Sequence, residues 1–243
     1  MNVMIIGGTS GIGLGLARHY LQQGAHVTAC GRHPEKLQGL AHQRLTVQPL
    51  DIADRDAVRR TISQQAQNGR CGLDLLIVSA GQYADAAAIA QDRNAAIPVL
   101  KVNVGGLDHA FGAAAEVMMA RGGQLVAIAS IAGLQKDYPG GSLYSASKRA
   151  AIAICDSYRK ALEPFGIAVT TIIPGYVDTA RLRELNGGDA SRKPYLMKEE
   201  EAVRRIAAAI ARRDERYVFP WQMHLLVRIF NALPLALKSL RQK

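Results

Sequence analysis

Short runs of consecutive apolar residues recur along the chain, separated by stretches in which apolar positions return every three or four residues. The runs at 3–7, 26–30, 45–49, 73–78, 124–129, 167–173 and 217–219 have strand length and strand composition. Each is a β-rich run of the length expected for a strand buried on both faces. Helices are expected between them, near 11–23, 34–42, 54–67, 93–121, 143–164 and 199–212. Strands and helices that alternate in this way build a parallel sheet covered on both sides, a doubly wound α/β fold. No composition break, repeat or low-complexity stretch divides the chain, so residues 1–243 read as one domain.

Composition narrows the class. With 49% hydrophobic and 21% charged residues, the chain can bury a substantial core and carries no signature of disorder. No apolar run is long enough to span a bilayer, and Val3 to Ile6 is claimed by the first strand rather than by a leader peptide. Cys30, Cys71 and Cys155 are odd in number and widely spaced, which suits reduced thiols in an intracellular, cytoplasmic protein. The six histidines lack ligand-type spacing, so no metal is expected. The net charge of +10 is uneven: fourteen Lys and Arg against seven Asp and Glu fall from Arg181 onward. That asymmetry suits a phosphate-bearing ligand, an anionic partner or a membrane surface. Nucleic acid is the weakest of these, with aromatics at 5% and no recognised binding motif.

Two short motifs carry chemistry. Gly7-Gly8-Thr9-Ser10-Gly11-Ile12-Gly13 joins the first strand to the first helix. Glycines there let the backbone turn sharply and approach a pyrophosphate, which rests on the positive end of the helix. Far along the chain, Tyr144-Ser145-Ala146-Ser147-Lys148 places a phenol and an ammonium at i and i+4 on one helix face. A free phenol, with a pKa of about 10, is a poor base at neutral pH, and a nearby cation is expected to lower it. Ser130 ends a buried strand, where ligands of doubly wound sheets sit, and Tyr144 follows fourteen residues later. Pro139-Gly140-Gly141 supplies a turn between them, with Ser142 as the N-cap of the helix. At the end of the second strand, Cys30-Gly31-Arg32-His33 contains no carboxylate. Arg32 suits a ribose 2′-phosphate by charge and geometry, which points to NADP rather than NAD.

The order and spacing of the two motifs resemble the short-chain dehydrogenase/reductase family, and the resemblance runs from Val3 to about Pro220. It implies a single Rossmann-type domain that binds a dinucleotide and exchanges a hydride with a carbonyl/alcohol pair. By that resemblance Asn103, Ser130, Tyr144 and Lys148 fill the catalytic positions. Tyr144 would transfer the proton and Ser130 orient the reacting oxygen. Lys148 would also hold the nicotinamide ribose, and Asn103 would complete a proton relay. Gly31 stands where NAD-preferring relatives carry Asp. The cofactor contacts implied are Gly7, Thr9, Ser10, Gly11, Ile12, Arg32, Asp51, Ile52, Ala80, Gly81, Pro174, Gly175, Val177 and Thr179, together with Asn103, Tyr144 and Lys148. Asp51 would meet the adenine amino group, although a helix cap is an alternative use for it. Ile6 and Val78-Ser79 depart from the family's Thr and Asn-Asn, removing a hydrogen bond that steadies the central strands.

The substrate is expected to be a small carbonyl or alcohol compound, in a pocket built from the stretch around Tyr83 to Arg93 and a lid at 181–195. The apolar, basic tail at 221–243 fits a pocket wall or a subunit contact better than a membrane surface. The family pattern implies a homodimer or homotetramer. A dinucleotide-binding sensor without turnover is the alternative function, and catalytic NADPH consumption separates the two.

Overall fold

The computed structural model describes residues 1–37, 42–68, 72–84, 86–136 and 142–233. Seven strands form its main sheet: β1 (Asn2–Ile6), β2 (His26–Gly31), β3 (Leu45–Pro49), β4 (Leu75–Val78), β5 (Gly123–Ile128), β6 (Ile167–Pro174) and β9 (Arg216–Phe219). A two-residue pair, β7 (Val177–Asp178) and β8 (Met197–Lys198), stands apart as a small ribbon. The sheet order is β3-β2-β1-β4-β5-β6-β9, and every pairing is parallel. All seven expected strands are present, with ends displaced by no more than two residues.

Alternation along each strand divides the core into two layers. In β1, Met4 and Ile6 face the side covered by α2 (Arg55–Asn68), α5 (Leu107–Met118) and α6 (Leu143–Leu162). Val3 and Ile5 face the side covered by α1 (Gly11–Gln22) and α8 (Glu199–Ala211). Both faces of the central strands are buried, so apolar residues dominate them, and the polar exceptions are paired: Gln124 donates to Thr170 Oγ1 at 2.9 Å.

The helix expected at 93–121 is not uniform. α3 (Ala86–Gln91) precedes it, and Asp92 caps a 3₁₀ turn at Arg93–Ala95 by accepting from Asn94 N at 2.8 Å. α4 (Ala96–Leu100) then widens into a π-helical turn at Lys101–Gly106 before α5 begins. Gly106 sits against Ile52, where an added Cβ would lie 2.8 Å from a side-chain carbon and 3.0 Å from a carbonyl oxygen. Local widening of this kind recurs at functional sites because it re-aims side chains. The helix expected at 34–42 is a 3₁₀ turn at Pro34–Leu37, and 38–41 lie outside the described residues. The ribbon and the short α7 (Ala180–Glu184) carry too few residues to show a period. α9 (Trp221–Ala232) closes the described chain, and among the described residues no helix is long and apolar enough to cross a membrane.

Candidate active site

The chain leaves β1 toward β2 on one side and returns to β4 on the other, so the crevice of the sheet opens between the ends of β1 and β4. Gly7 N–H and Gly8 N–H both donate to Cys30 O, at 2.8 and 3.0 Å, which folds the turn back over β2. Gly7 holds φ at +87°, and a Cβ there would lie 2.4 Å from Ala80 N. Gly13 packs on the same turn, with an added Cβ 2.1 Å from Gly7 O. Ser10 occupies the N-cap of α1 without a side-chain bond to the helix. The first-turn amides that any helix leaves unpaired are therefore not covered by their own cap. This is a cradle that side chains would fill, and its dipole favours an anion.

At the end of β2, Gly31 lies against the buried Thr9, where an added Cβ would come within 2.5 Å of Thr9 Oγ1. An acidic side chain cannot start from position 31 unless Thr9 moves. Arg32 is exposed just beyond it. Asp51 accepts from Ala53 N at 2.9 Å through one carboxylate oxygen, while the cap of α2 is Asp54, which accepts from Ala57 N at 2.9 Å. Ile52 is buried against the π-helical turn. At Ile6 and Val78-Ser79 the ends of β1 and β4 are joined by backbone: Ile6 O accepts from Ser79 N at 2.8 Å and Ala80 N at 3.0 Å. Gly81 closes the gap to the chemistry, since an added Cβ would lie 3.4 Å from Lys148 Nζ and 3.5 Å from Asn103 Oδ1.

Ser142 caps α6, accepting from Ser145 N at 3.1 Å, and so fixes where Tyr144 and Lys148 enter the helix. The preceding turn at 139–141 lies outside the described residues. Arg159 pins the other half of α6, donating to Val169 O at 3.0 Å, Thr171 Oγ1 at 3.0 Å and Glu215 O at 2.8 Å. Ser130 accepts from Ala132 N at 3.2 Å and is hydrogen-bonded to the Tyr144 phenol. Asn103 is buried and fully engaged. It accepts from Gln82 N at 2.8 Å and donates to Gln82 O at 2.9 Å and Ser147 Oγ at 2.9 Å. Ser147 in turn donates to Tyr144 O at 2.7 Å, so Asn103 ties the segment after β4 to the helix bearing the phenol. Sequence reasoning missed Ser147 and Gln82, because nothing in a pattern says which backbone a buried amide will clamp.

The electrostatics correct one expectation. Burial pushes the Tyr144 phenol above its ordinary value. The Ser130 hydrogen bond opposes that rise, and Tyr83 and Tyr176 add to it. Lys148 does not produce the net lowering expected of it: its Nζ donates to Ile128 O at 3.1 Å and stands 5.8 Å from the centre of the Tyr144 ring. Burial instead acts on the lysine itself, lowering its pKa from 10.5 to about 8.

Beyond β6, Gly175 N–H donates to Phe219 O at 2.7 Å, and an added Cβ would lie 2.5 Å from Met223 Sδ. Pro174 and Gly175 are thus held between β9 and α9. Val177 is buried in the core shared by α1 and α8 and pairs with Met197 in the ribbon. Thr179 caps α7, accepting from Leu182 N at 3.2 Å, and its methyl group lies beside Gly11. A cavity of about 370 Å³, within the range of small-molecule pockets, opens beside Tyr83. It is lined by Gln82, Tyr83, Ala88, Pro98 and Val99, with Leu185 from the stretch expected to form a lid. The Tyr83 ring meets the Tyr144 ring edge-on at 5.1 Å.

The sequence pattern of the short chain dehydrogenase family matches residues 1–190. This chain belongs to that family. An uncharacterized oxidoreductase of Myxococcus xanthus is 32% identical over 239 residues, which cover 95% of this chain and 92% of that protein. A short chain dehydrogenase from Burkholderia cenocepacia, solved in complex with NADP, superposes with a TM-score of 0.83 at 25% identity. That match covers 98% of this chain and 95% of the other. The closed form of a serine dehydrogenase complexed with NADP+ gives a TM-score of 0.76 at 26% identity, over 86% of this chain and 89% of its own. For this short-chain dehydrogenase, the candidate residues Gly7, Gly81, Asn103, Ser130, Tyr144 and Lys148 converge on one crevice. Arg32 and Asp51 stand at its outer end, beyond β2 and β3.

Proposed function

We propose that the protein is an NADP(H)-dependent oxidoreductase that interconverts a carbonyl and a secondary alcohol, with Tyr144 as the general acid and base. The observation that carries this reading is the convergence of the Ser130 hydroxyl, the Tyr144 phenol and buried Lys148, whose Nζ would lie 3.4 Å from a Cβ added at Gly81. The cradle from Gly7 to Ile12 would hold the pyrophosphate and Thr179 would stand across from it. Ala80, Gly81 and Lys148 would hold the ribose, and Pro174, Gly175 and Val177 the amide end. Asp51 and Ile52 would take the adenine, and Arg32 the 2′-phosphate. The NADP bound in related solved structures and the Thr9 obstruction at Gly31 support NADP over NAD. When bound, the nicotinamide supplies or accepts the hydride.

The chain's own groups manage the proton. A phenol whose pKa is raised stays protonated at neutral pH, so Tyr144 is ready to donate to a carbonyl oxygen. Ser130 donates to the same oxygen and fixes its position. Once Tyr144 has given its proton, Lys148 is the stronger acid of the pair and can return one, because its pKa is about 8. Asn103 acts by position, holding Gln82 and Ser147 so that the phenol and the cavity wall keep their register. Cys30 and Cys155 are buried free thiols, which suits a reducing, cytoplasmic setting.

The test is NADPH oxidation followed across a panel of aldehydes and ketones. Turnover that depends on the carbonyl supports the reading, and tight NADPH binding without turnover on any of them would leave a sensor instead. With a responsive carbonyl, the rate of reduction is expected to fall as pH rises through about 8, where Lys148 loses its proton. The cation is the active form, so activity is present below that value and lost above it. Lys148→Arg should move the fall to higher pH, and an unmoved profile would remove Lys148 from the relay. Arg32→Ala is expected to weaken NADPH binding by about tenfold to a hundredfold, the loss of a charge-assisted contact, while leaving NADH unaffected. Equal changes for both cofactors would make Arg32 an ordinary surface charge.

A further inference from the structure

The cavity beside Tyr83 has walls of one chemical kind. Ala84, Ala88 and Ala95 keep the side chains of its lining short, and Pro98 and Val99 of α4 extend the same surface. Leu185, at the end of α7, completes the lining from a distant part of the chain. None of the described residues that line it carries a carboxylate, an ammonium or a guanidinium. The backbone of Gln82 is engaged by Asn103, which accepts from its N–H at 2.8 Å and donates to its carbonyl at 2.9 Å. That leaves the Gln82 amide and the Tyr83 hydroxyl as the polar side-chain groups among the described lining residues.

Two large residues of this lining stand partly in solvent, Tyr83 by 38% and Leu185 by 41%. A single exposed Leu or Tyr means little. These two come from the segment after β4 and the end of α7 and meet at one cavity, so an apolar ligand seated there would cover both. Tyr83 also connects the cavity to the chemistry, because its ring meets the Tyr144 ring edge-on at 5.1 Å. Asn103 clamps the neighbouring Gln82 and Ser147, and so holds this stretch to the helix that bears the phenol. A compound with its carbonyl at Tyr144 can therefore reach past Tyr83 into the cavity. A charged group following that path would lose water against walls that offer it no opposite charge.

We propose that the substrate is an uncharged carbonyl compound carrying an apolar chain or ring, which lies in this cavity against Tyr83, Val99 and Leu185. The inference rests on the proposed reaction and names the class of compound it acts on.

The test is a series of methyl ketones from butanone to decanone, reduced with NADPH. Beside them stands the keto acid in which a carboxylate replaces the terminal methyl group of decanone. kcat/KM should rise about fourfold per added methylene, the gain from removing one from water, until the cavity is filled. The keto acid should fall more than about tenfold below decanone. Leu185→Asp, at an exposed position, should flatten the rise while the melting temperature and NADPH affinity stay unchanged. Ala88→Phe, which fills the space, should flatten it as well. Calorimetric binding of the matching secondary alcohols to the protein loaded with NADPH needs no turnover and should show the same gradient. Alcohols that bind with that gradient while no ketone is reduced would count against the reaction and still support the apolar ligand. A flat series in both measurements overturns the proposal, as does a keto acid equal to decanone or a gradient that survives both variants. Turnover of any ketone in those cases leaves the reaction standing.

Discussion

Tyr144→Phe is expected to reduce carbonyl turnover by about 10²–10⁴-fold, the usual contribution of a positioned general acid. The substitution removes one hydroxyl and keeps the ring, so the edge contact with Tyr83 and the cap of α6 by Ser142 persist. NADPH affinity should therefore change little, as fluorescence titration would show. The phenol is half-buried beside the Ser130 hydroxyl, and Phe leaves that hydroxyl with its Ala132 N–H contact alone. Water can deliver a proton in place of the phenol only without its alignment, which is why the loss is large but finite. Turnover within a few fold of the unaltered protein would end the assignment of Tyr144 as the acid. A variant that has also lost NADPH affinity would instead place the damage in the crevice as a whole.

Gly7→Ala should damage both folding and cofactor binding. A Cβ at this position would lie 2.4 Å from Ala80 N and 2.8 Å from Ala80 Cα, and backbone cannot rotate aside as a side chain can. With φ at +87°, the residue also occupies a conformation that disfavours any side chain. Conformational strain of about 1–2 kcal/mol and overpacking of about 1–3 kcal/mol together predict a loss of about 2–5 kcal/mol in urea unfolding. The reason is local: Gly7 lies where the turn after β1 crosses the end of β4, and Ser79 N and Ala80 N are already committed to Ile6 O. Gly187→Ala provides the contrast. That residue has φ +68° with nothing within 4 Å of an added Cβ, so only the backbone contribution, about 1–2 kcal/mol, should remain. Equal losses at the two positions would show that crowding at the crevice is not what makes Gly7 necessary.

The strands were legible because a sheet covered on both faces favours apolar and β-branched residues along its central strands, a demand visible without coordinates. The glycine turn was legible for a similar reason, since a backbone path that excludes Cβ leaves a mark in composition. The long segment from 93 to 121 was read as one helix because its composition is helical throughout. Its π-helical turn follows from the packing of Gly106 against Ile52 and from the bonds of Asn103, both of which join residues far apart in the chain.

The electrostatics of the candidate site were the least legible part. Sequence spacing puts Tyr144 and Lys148 on one face of α6, and from spacing alone the cation should lower the phenol. Burial reverses the net direction for Tyr144, and the Ile128 carbonyl draws the ammonium toward β5. In the tail, sequence showed an apolar and basic segment, while the packing of Met223 and Val227 alone decided which face is used and which is left open.

The sequence by itself determined the sheet, the glycine cradle and the absence of an acid after β2, while the four candidate catalytic residues were named by resemblance to the family. The first three are set by local requirements of backbone conformation, burial or side-chain chemistry. Only the tertiary structure decided that Asn103 serves as a clamp, that burial lowers the Lys148 pKa to about 8, and that α9 leaves Trp221 and Ile229 exposed. Those properties depend on desolvation and on partners from distant elements, and neither is written in the order of residues.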